Sequence, residues 1–169
     1  MQGLETPVIG VIRSPFTKLE GMPIQSAGAR DVEGTVEVCP ECAEGLKDLD
    51  GFSHIYLIYW FHRAPRTELL VVPFLDTEQR GVFATRSPLR PSRIGLSIVE
   101  LLHVEGRILT VRGVDILDGT PLLDIKPYVP EFDHRPGATS GWLKAAKGSP
   151  AQARAEREMP RCSDGRRRP

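Results

Sequence analysis

Apolar residues along this chain recur mostly at every second position, in short runs cut by glycine and proline. Residues 7–13 (Pro-Val-Ile-Gly-Val-Ile-Arg) are rich in β-branched side chains and predict a buried strand, ended by Ser14-Pro15. Residues 16–31 hold Gly21, Pro23 and Gly28 among polar residues and predict a long loop, a kind of segment that often carries function. Thr35-Val36-Glu37-Val38 alternates as a short strand, and Glu41 to Leu49 has room for one or two helical turns before Asp50-Gly51. Residues 52–62 (Phe-Ser-His-Ile-Tyr-Leu-Ile-Tyr-Trp-Phe-His) are apolar on both faces and predict a central strand buried on both sides. Period two places Phe52, His54, Tyr56, Ile58, Trp60 and His62 on one face. His54 suits a hydrogen-bonded core or rim position. His62 ends the strand, a better place to meet a ligand.

Residues 69–74 form a further short apolar run with Pro73, and residues 82–86 predict a strand. Residues 94–104 fit both a helical and a strand spacing, but Glu105-Gly106 offers a tight turn into residues 107–111, so strand–turn–strand is the more consistent pattern. Residues 114–117 predict another strand, ended by Asp118-Gly119-Thr120-Pro121, and residues 122–126 a last one, stopped by Pro127. At least six short strands with Gly/Pro turns predict a mostly β protein, a single small barrel or curled sheet with short helical turns. After about Phe132, Gly, Pro, Ala, Arg and Ser dominate. The expected division is a barrel domain over residues 1–135 and a polar C-terminal arm over 136–169. Residues 141–147 are expected to pack a helical turn on the barrel through Trp142 and Leu143, and the arm beyond Ser149 to be weakly ordered unless a partner holds it.

Charge and cysteines narrow the chemistry. The 169 residues carry 22 basic and 22 acidic side chains, so no global field argues for nucleic acid or membrane, and any anion site must come from local clustering. No apolar run approaches a bilayer span and no signal peptide is visible, which makes the cytoplasm the default expectation. Cys39-Pro-Glu-Cys42 has C-x-x-C spacing, but a structural zinc site would want a second pair and a redox pair would normally open a helix. No metal is expected.

Local clustering is present at residues 80–97, where Arg80, Arg86, Arg90 and Arg93 fall within fourteen residues and Pro88 and Pro91 stiffen the backbone. Guanidinium forks suit carboxylate and phosphate, so this loop could hold an anionic or zwitterionic ligand; the same arginines would equally suit a solvated loop. Asp118-Gly119-Thr120-Pro121 is a tight turn whose side chains can bond local amides or a ligand. Asp124, Lys126 and Tyr128 project to one face if their strand continues, as a salt-bridged surface or a polar pocket rim. No glycine-rich phosphate loop is present.

Eight ordered motifs go further: Ile9-Gly10-Val11-Ile12-Arg13-Ser14-Pro15, Gly51-Phe52-Ser53-His54, Phe61-His62, residues 81–88 (Gly-Val-Phe-Ala-Thr-Arg-Ser-Pro), Arg90-Pro91, Ile94-Gly95-Leu96-Ser97, Asp118-Gly119-Thr120-Pro121 and Asp124-Ile125-Lys126-Pro127-Tyr128. Together they closely resemble the TsaA/TrmO (YaeB-like) family across about residues 7–133. The resemblance implies a β-barrel, homodimeric methyltransferase that uses S-adenosyl-L-methionine to methylate the N6 atom of N6-threonylcarbamoyladenosine beside the tRNA anticodon. It implies donor binding by Pro23, Ile24, Gln25, His62, Arg63, Arg86, Leu96, Leu117, Asp118, Gly119 and Thr120. Within it, Arg86 is expected to hold a carboxylate and Asp118 an amino or ribose group. Asp124 or Tyr128 would act as any base required, and Arg90, Arg93 and Lys126 would contact tRNA phosphates. Three departures from the family pattern stand out: Ile24 where arginine is frequent, Arg63 where glutamine is frequent, and Ser92-Arg93 where Asn-Pro is frequent. Two other functions stay open beside this one: a methyltransferase on a different small substrate, and a non-enzymatic S-adenosylmethionine-binding module.

Overall fold

A computed structural model describes residues 5–23 and 28–145. Six strands close into an antiparallel barrel: β1 (Gly10–Arg13), β2 (Glu33–Val38), β3 (His54–Trp60), β6 (Ile94–Glu105), β7 (Ile108–Arg112) and β8 (Thr120–Pro127), in the order β1-β2-β7-β6-β3-β8 and back to β1. Two short strands, β4 (Leu70–Val71) and β5 (Arg80–Gly81), pair as a separate ribbon within the β3–β6 connection. One short helix, α1 (Pro130–Asp133), follows β8. Alternation fills the interior, because inward positions on each strand bury Ile12, Val36, Ile55, Leu57, Val99, Leu109 and Leu122 while their neighbours face out.

Two bulges adjust the alternation. Leu102 is unmatched on β6 between the pairs Leu101↔Val111 and His103↔Thr110. Leu123 is unmatched on β8, since Tyr59 pairs Leu122 and Ile58 pairs Asp124. An extra residue inverts the phase of a strand. Thr120 and Leu122 therefore face the core, whereas Asp124 and Lys126 turn outward.

Four expectations are corrected. First, β3 is buried on one face only. Its Ile55, Leu57 and Tyr59 lie in the core, while Trp60 and, across the ladder, Ile94, Leu96 and Ile98 remain exposed. Tyr56 and Ile58 beside them are half-buried. Second, residues 114–117 form no strand. Gly113 adopts φ +93°, a backbone open chiefly to glycine, and leads the chain off β7; Val114 and Ile116 then plug the barrel end, which is why an irregular segment carries strand-like alternation. Third, residues 82–84 coil into a 3-10 turn after β5, with Val82 buried against Val71 and Leu89 in a small second core. Residues 141–145 do form a 3-10 turn, but it seats Trp142 on that same connection rather than on the barrel wall, through an indole N–H donated to Ala84 O at 2.8 Å, and leaves Leu143 exposed. The expected arm beyond Ser149 lies outside the described residues.

Tyr59 and Gly95 face each other across β3 and β6, and a methyl group on Gly95 would collide with the Tyr59 ring. The ring thus lies flat over the glycine and carries its hydroxyl to Ser97 in the core. Gly95→Ala should therefore cost about 1–3 kcal/mol, as overpacking of a rigid core does. Urea denaturation measures this, and an unchanged midpoint would show that the ring has room to move.

Candidate functional site

Antiparallel closure puts alternate strand connections at alternate ends of the barrel. The β1–β2 loop, the long β3–β6 connection and the β7–β8 connection all emerge where β3 finishes and β6 begins. Pro23 sits on the first, His62, Arg63, Arg86, Arg90 and Arg93 on the second, and Leu117, Asp118 and Gly119 on the third, with Thr120 and Leu96 at the adjoining strand ends. Most of the expected donor-binding residues thus share one barrel end. Ile24 and Gln25 lie outside the described residues.

The β7–β8 turn is bonded to β1. Ser14 N–H donates to Asp118 Oδ1 at 3.2 Å, Asp118 N–H to Phe16 O at 2.8 Å, and Gly119 N–H to Ile12 O at 2.9 Å. Arg13 Nη1 lies 3.9 Å from Asp118 Oδ2. The buried Thr120 hydroxyl donates back to Leu117 O at 2.7 Å. Asp118 is therefore a half-exposed carboxylate with one oxygen on a backbone amide and the other towards a guanidinium. Such a group is pre-aimed and keeps acceptor capacity for an ammonium or hydroxyl.

His62 is half-buried just past β3. Burial and the adjacent Arg63 charge lower its pKa, and the contact with Trp60 raises it by less. Its ring is therefore neutral near pH 7 and adds no charge beside the arginines. Arg86 and Arg63 are exposed.

Arg90 has an internal occupation. Its Nε donates to Ser87 O at 3.2 Å, and its Nη2 donates to Val82 O at 3.2 Å and Thr85 O at 2.7 Å. The guanidinium holds the Arg86 loop in shape from inside. Arg93 adopts φ +52°, half-buried, and its carbonyl accepts Phe61 N–H at 2.8 Å. Proline, fixed near φ −65°, has no access to that backbone, so the departure from the Asn-Pro pattern at this position has a conformational counterpart.

Asp124, Lys126 and Tyr128 are not at this end. Asp124 and Lys126 point outward from β8 and pair with each other at 2.8 Å. Tyr128 donates its N–H to His54 O, at the start of β3, and packs its ring 5.8 Å from that of Tyr56. At ~3.3 Å per residue, the length of β3 separates Tyr128 from the donor-side loops by roughly 20 Å.

A buried polar chain went unnoticed in the sequence. Ser97 Oγ donates to Asp115 Oδ1 at 2.6 Å, which leaves Tyr59 to donate its hydroxyl to Ser97 Oγ at 3.1 Å. Burial, followed by the Asp115 charge, raises the Tyr59 pKa, and Arg86 acts in the opposite direction, so the phenol stays protonated and the charges of Asp115 and Arg86 both reach it. The available signal was Ser97 at an inward position between Gly95 and Val99, where a hydroxyl must find a partner.

Comparison with known proteins follows the same outline. Residues 11–134 match the family described as tRNA-methyltransferase O N-terminal domain. The chain belongs to the TsaA/TrmO family. It is 60% identical over 136 residues to a probable S-adenosyl-L-methionine-binding protein of Pyrococcus abyssi, covering 80% of this chain and 74% of that one. It is 34% identical over 156 residues to the tRNA (adenine(37)-N6)-methyltransferase of Escherichia coli, covering 86% of this chain and 66% of that one. Crystalline TrmO from Pseudomonas aeruginosa superposes with a TM-score of 0.72 at 39% identity, over 86% of this chain and 64% of that one. The chain thus spans slightly under two thirds of the length of these last two TsaA/TrmO relatives. Among the described residues, no group of three or more His, Cys, Asp and Glu is placed to hold a metal ion, and no helix is long and apolar enough to cross a membrane.

Two outcomes follow from this geometry. Arg90→Lys should lose the planar three-carbonyl clamp and about 1–3 kcal/mol of stability. An unchanged denaturation midpoint would mean the loop holds its shape without it. For His62 the folded pKa lies below the unfolded value, so as pH falls the unfolded chain takes the proton first and the fold loses stability. Thermal melts from pH 8 down to about 5 should show wild type losing more stability than His62→Gln. Parallel losses would place the imidazole in an unperturbed setting.

Proposed function

We infer that this chain is an S-adenosyl-L-methionine-dependent methyltransferase acting in the cytoplasm as a homodimer. Its acceptor is the N6 atom of N6-threonylcarbamoyladenosine beside the tRNA anticodon. The observation that carries this is the gathering of Asp118, His62 and the Arg86 loop at one barrel end, in a chain that belongs to the TsaA/TrmO family. The naming of one relative as an S-adenosyl-L-methionine-binding protein and of another as a tRNA (adenine(37)-N6)-methyltransferase supports it.

The residue types fit a sulfonium amino-acid donor. Arg86 is an exposed guanidinium suited to a carboxylate, Asp118 a pre-aimed acceptor for an amino or ribose group, and Leu96 and Leu117 apolar walls. His62 stays neutral beside them, so no imidazolium competes with the Arg86 guanidinium for the carboxylate. When bound, the donor supplies an electrophilic methyl group to the acceptor nitrogen, so the protein's task is chiefly alignment and exclusion of water. Pro23 and Arg63 border the same end, and Arg93 meets phosphates, as does Lys126 by exchanging its 2.8 Å pairing with Asp124 for a phosphate oxygen.

The dimer accounts for the outer surface. Trp60, Ile94, Leu96 and Ile98 form a contiguous exposed apolar face beside Tyr56 and Ile58. On the β2–β7–β6 side, by contrast, the outer row Glu33, Arg112 and Glu100 is an ion-pair ladder. An apolar face of this extent on one flank suits a second subunit. Asp124 shares that face with Ile58 and Leu96, so Asp124 and Tyr128 act as bases only by reaching a donor held on the opposite subunit.

Zero net formal charge favours one alternative, the same donor chemistry on a smaller acceptor. Calorimetric titration with S-adenosyl-L-methionine tests the donor site. Saturation near one per subunit is expected, with binding weakened roughly 10- to 150-fold in Arg86→Ala, as for loss of a charge-assisted hydrogen bond. Wild-type affinity in that variant would move the carboxylate site elsewhere. Methyl transfer to tRNA, with binding that falls steeply as salt rises, separates the tRNA acceptor from a small one.

A further inference from the structure

Phe83 is 79% exposed, the most exposed of the large apolar side chains among the described residues. It does not stand on a loose loop. It is the middle residue of the 3-10 turn Val82–Ala84, and both neighbouring carbonyls are held. Val82 O accepts from Thr85 N–H, from the Thr85 hydroxyl at 2.8 Å and from Arg90 Nη2 at 3.2 Å. Ala84 O accepts the Trp142 indole N–H at 2.8 Å, and the Arg80 guanidinium lies 5.8 Å from the Trp142 ring. Beneath the turn, Val82 is sealed into the small core with Val71 and Leu89. A buried valine, an arginine and a tryptophan therefore fix the backbone that holds this benzyl group out in water. Ordering a solvated apolar ring ahead of contact lowers the entropy cost of binding something flat.

The charge around it says what that is. Residues 61–93 carry six arginines and three acids in a chain with no net formal charge. The three acids are Glu68, Asp76 and Glu78, and each pairs with Arg66 or Arg80. None of them offsets Arg63 or Arg93. A rigid exposed aromatic on a locally basic segment is the composition that receives unpaired nucleobases, with the ring taking the base face and the cations the flanking phosphates.

We propose that Phe83 is the stacking platform for an unpaired base of the acceptor RNA, next to the nucleotide that is methylated. This rests on the chain being a tRNA methyltransferase and adds the residue that grips the loop. Arg90 and Trp142 act through Phe83 as positioning residues, by holding the carbonyls on either side of it.

The test uses the full chain and an anticodon stem-loop RNA carrying N6-threonylcarbamoyladenosine. Phe83→Ala should weaken stem-loop binding roughly 5- to 150-fold, as loss of one stacked base does. Donor affinity by calorimetry and the melting temperature should stay at wild-type values, because the ring is mostly solvated. Phe83→Trp should restore binding, and its added indole emission should be quenched on saturation with the stem-loop. If wild type binds and methylates the stem-loop while Phe83→Ala binds it equally well, the platform is refuted and the methyltransferase stands. If Phe83→Ala instead loses donor binding or turns a dimer into a monomer, the ring serves the donor pocket or the subunit contact, and the proposal falls. If wild type neither binds nor methylates the stem-loop, the tRNA function fails and takes the platform with it.

Discussion

The barrel is sealed by a ladder of three residue pairs, Gly10↔Leu122, Val11↔Pro121 and Ile12↔Thr120, where β1 meets β8. Everything else in the cylinder pairs more extensively. This short seam is what turns a curled sheet with two open edges into a closed surface. Its hydrogen bonds continue past the last paired residues, from Gly119 to Ile12, from Asp118 to Phe16 and from Ser14 to Asp118. The turn expected to touch the donor is thus the extension of the seam. Its geometry follows from closure, and a ligand bound there would stabilise the closed barrel by linkage.

Period-two alternation made most of the architecture legible. The eventual strands β1, β2, β3, β6, β7 and β8 were all visible as short apolar runs, and the β6–β7 hairpin was marked by Glu105-Gly106. What alternation does not encode is which surface an apolar residue faces. Val114 and Ile116 are buried because they plug a barrel end, and the same spacing would have served a strand. The outer residues of β3 looked buried for the opposite reason: they are apolar, yet the barrel itself leaves Trp60 uncovered. Of the candidate site, the chain order of the motifs was legible and their meeting at one end was not, because that follows from the antiparallel strand order. Tyr128, close in sequence to the Asp118 turn, sits a strand's length away because β8 runs to the opposite end, and Asp124 lies part-way along it on the outer face.

Arginine content is likewise a poor guide to arginine function. Within one connection, Arg66 and Arg80 are taken up by carboxylates and Arg90 by three carbonyls, while Arg93 shapes the chain through a left-handed backbone. A cluster that reads in sequence as one anion-binding loop is a scaffold and a recognition surface made from the same residue type. Five donors and no acceptor explain the dual use, since a guanidinium satisfies several carbonyls in a turn too tight for a helix or strand to do so.

The single unmatched residue Leu123 has a wider reach than its local geometry. It works as a parity switch in the middle of β8. Above it, even-numbered positions belong to the hydrophobic interior; below it, even-numbered positions belong to the outside world. One strand can therefore satisfy two incompatible neighbourhoods, and its pairing with β3 resumes one residue out of step. Regular pairing through Leu123, with no residue unmatched, would direct an aspartate and a lysine at the core. What the strand must preserve is accordingly the slip in register, whichever side chain occupies the unmatched position.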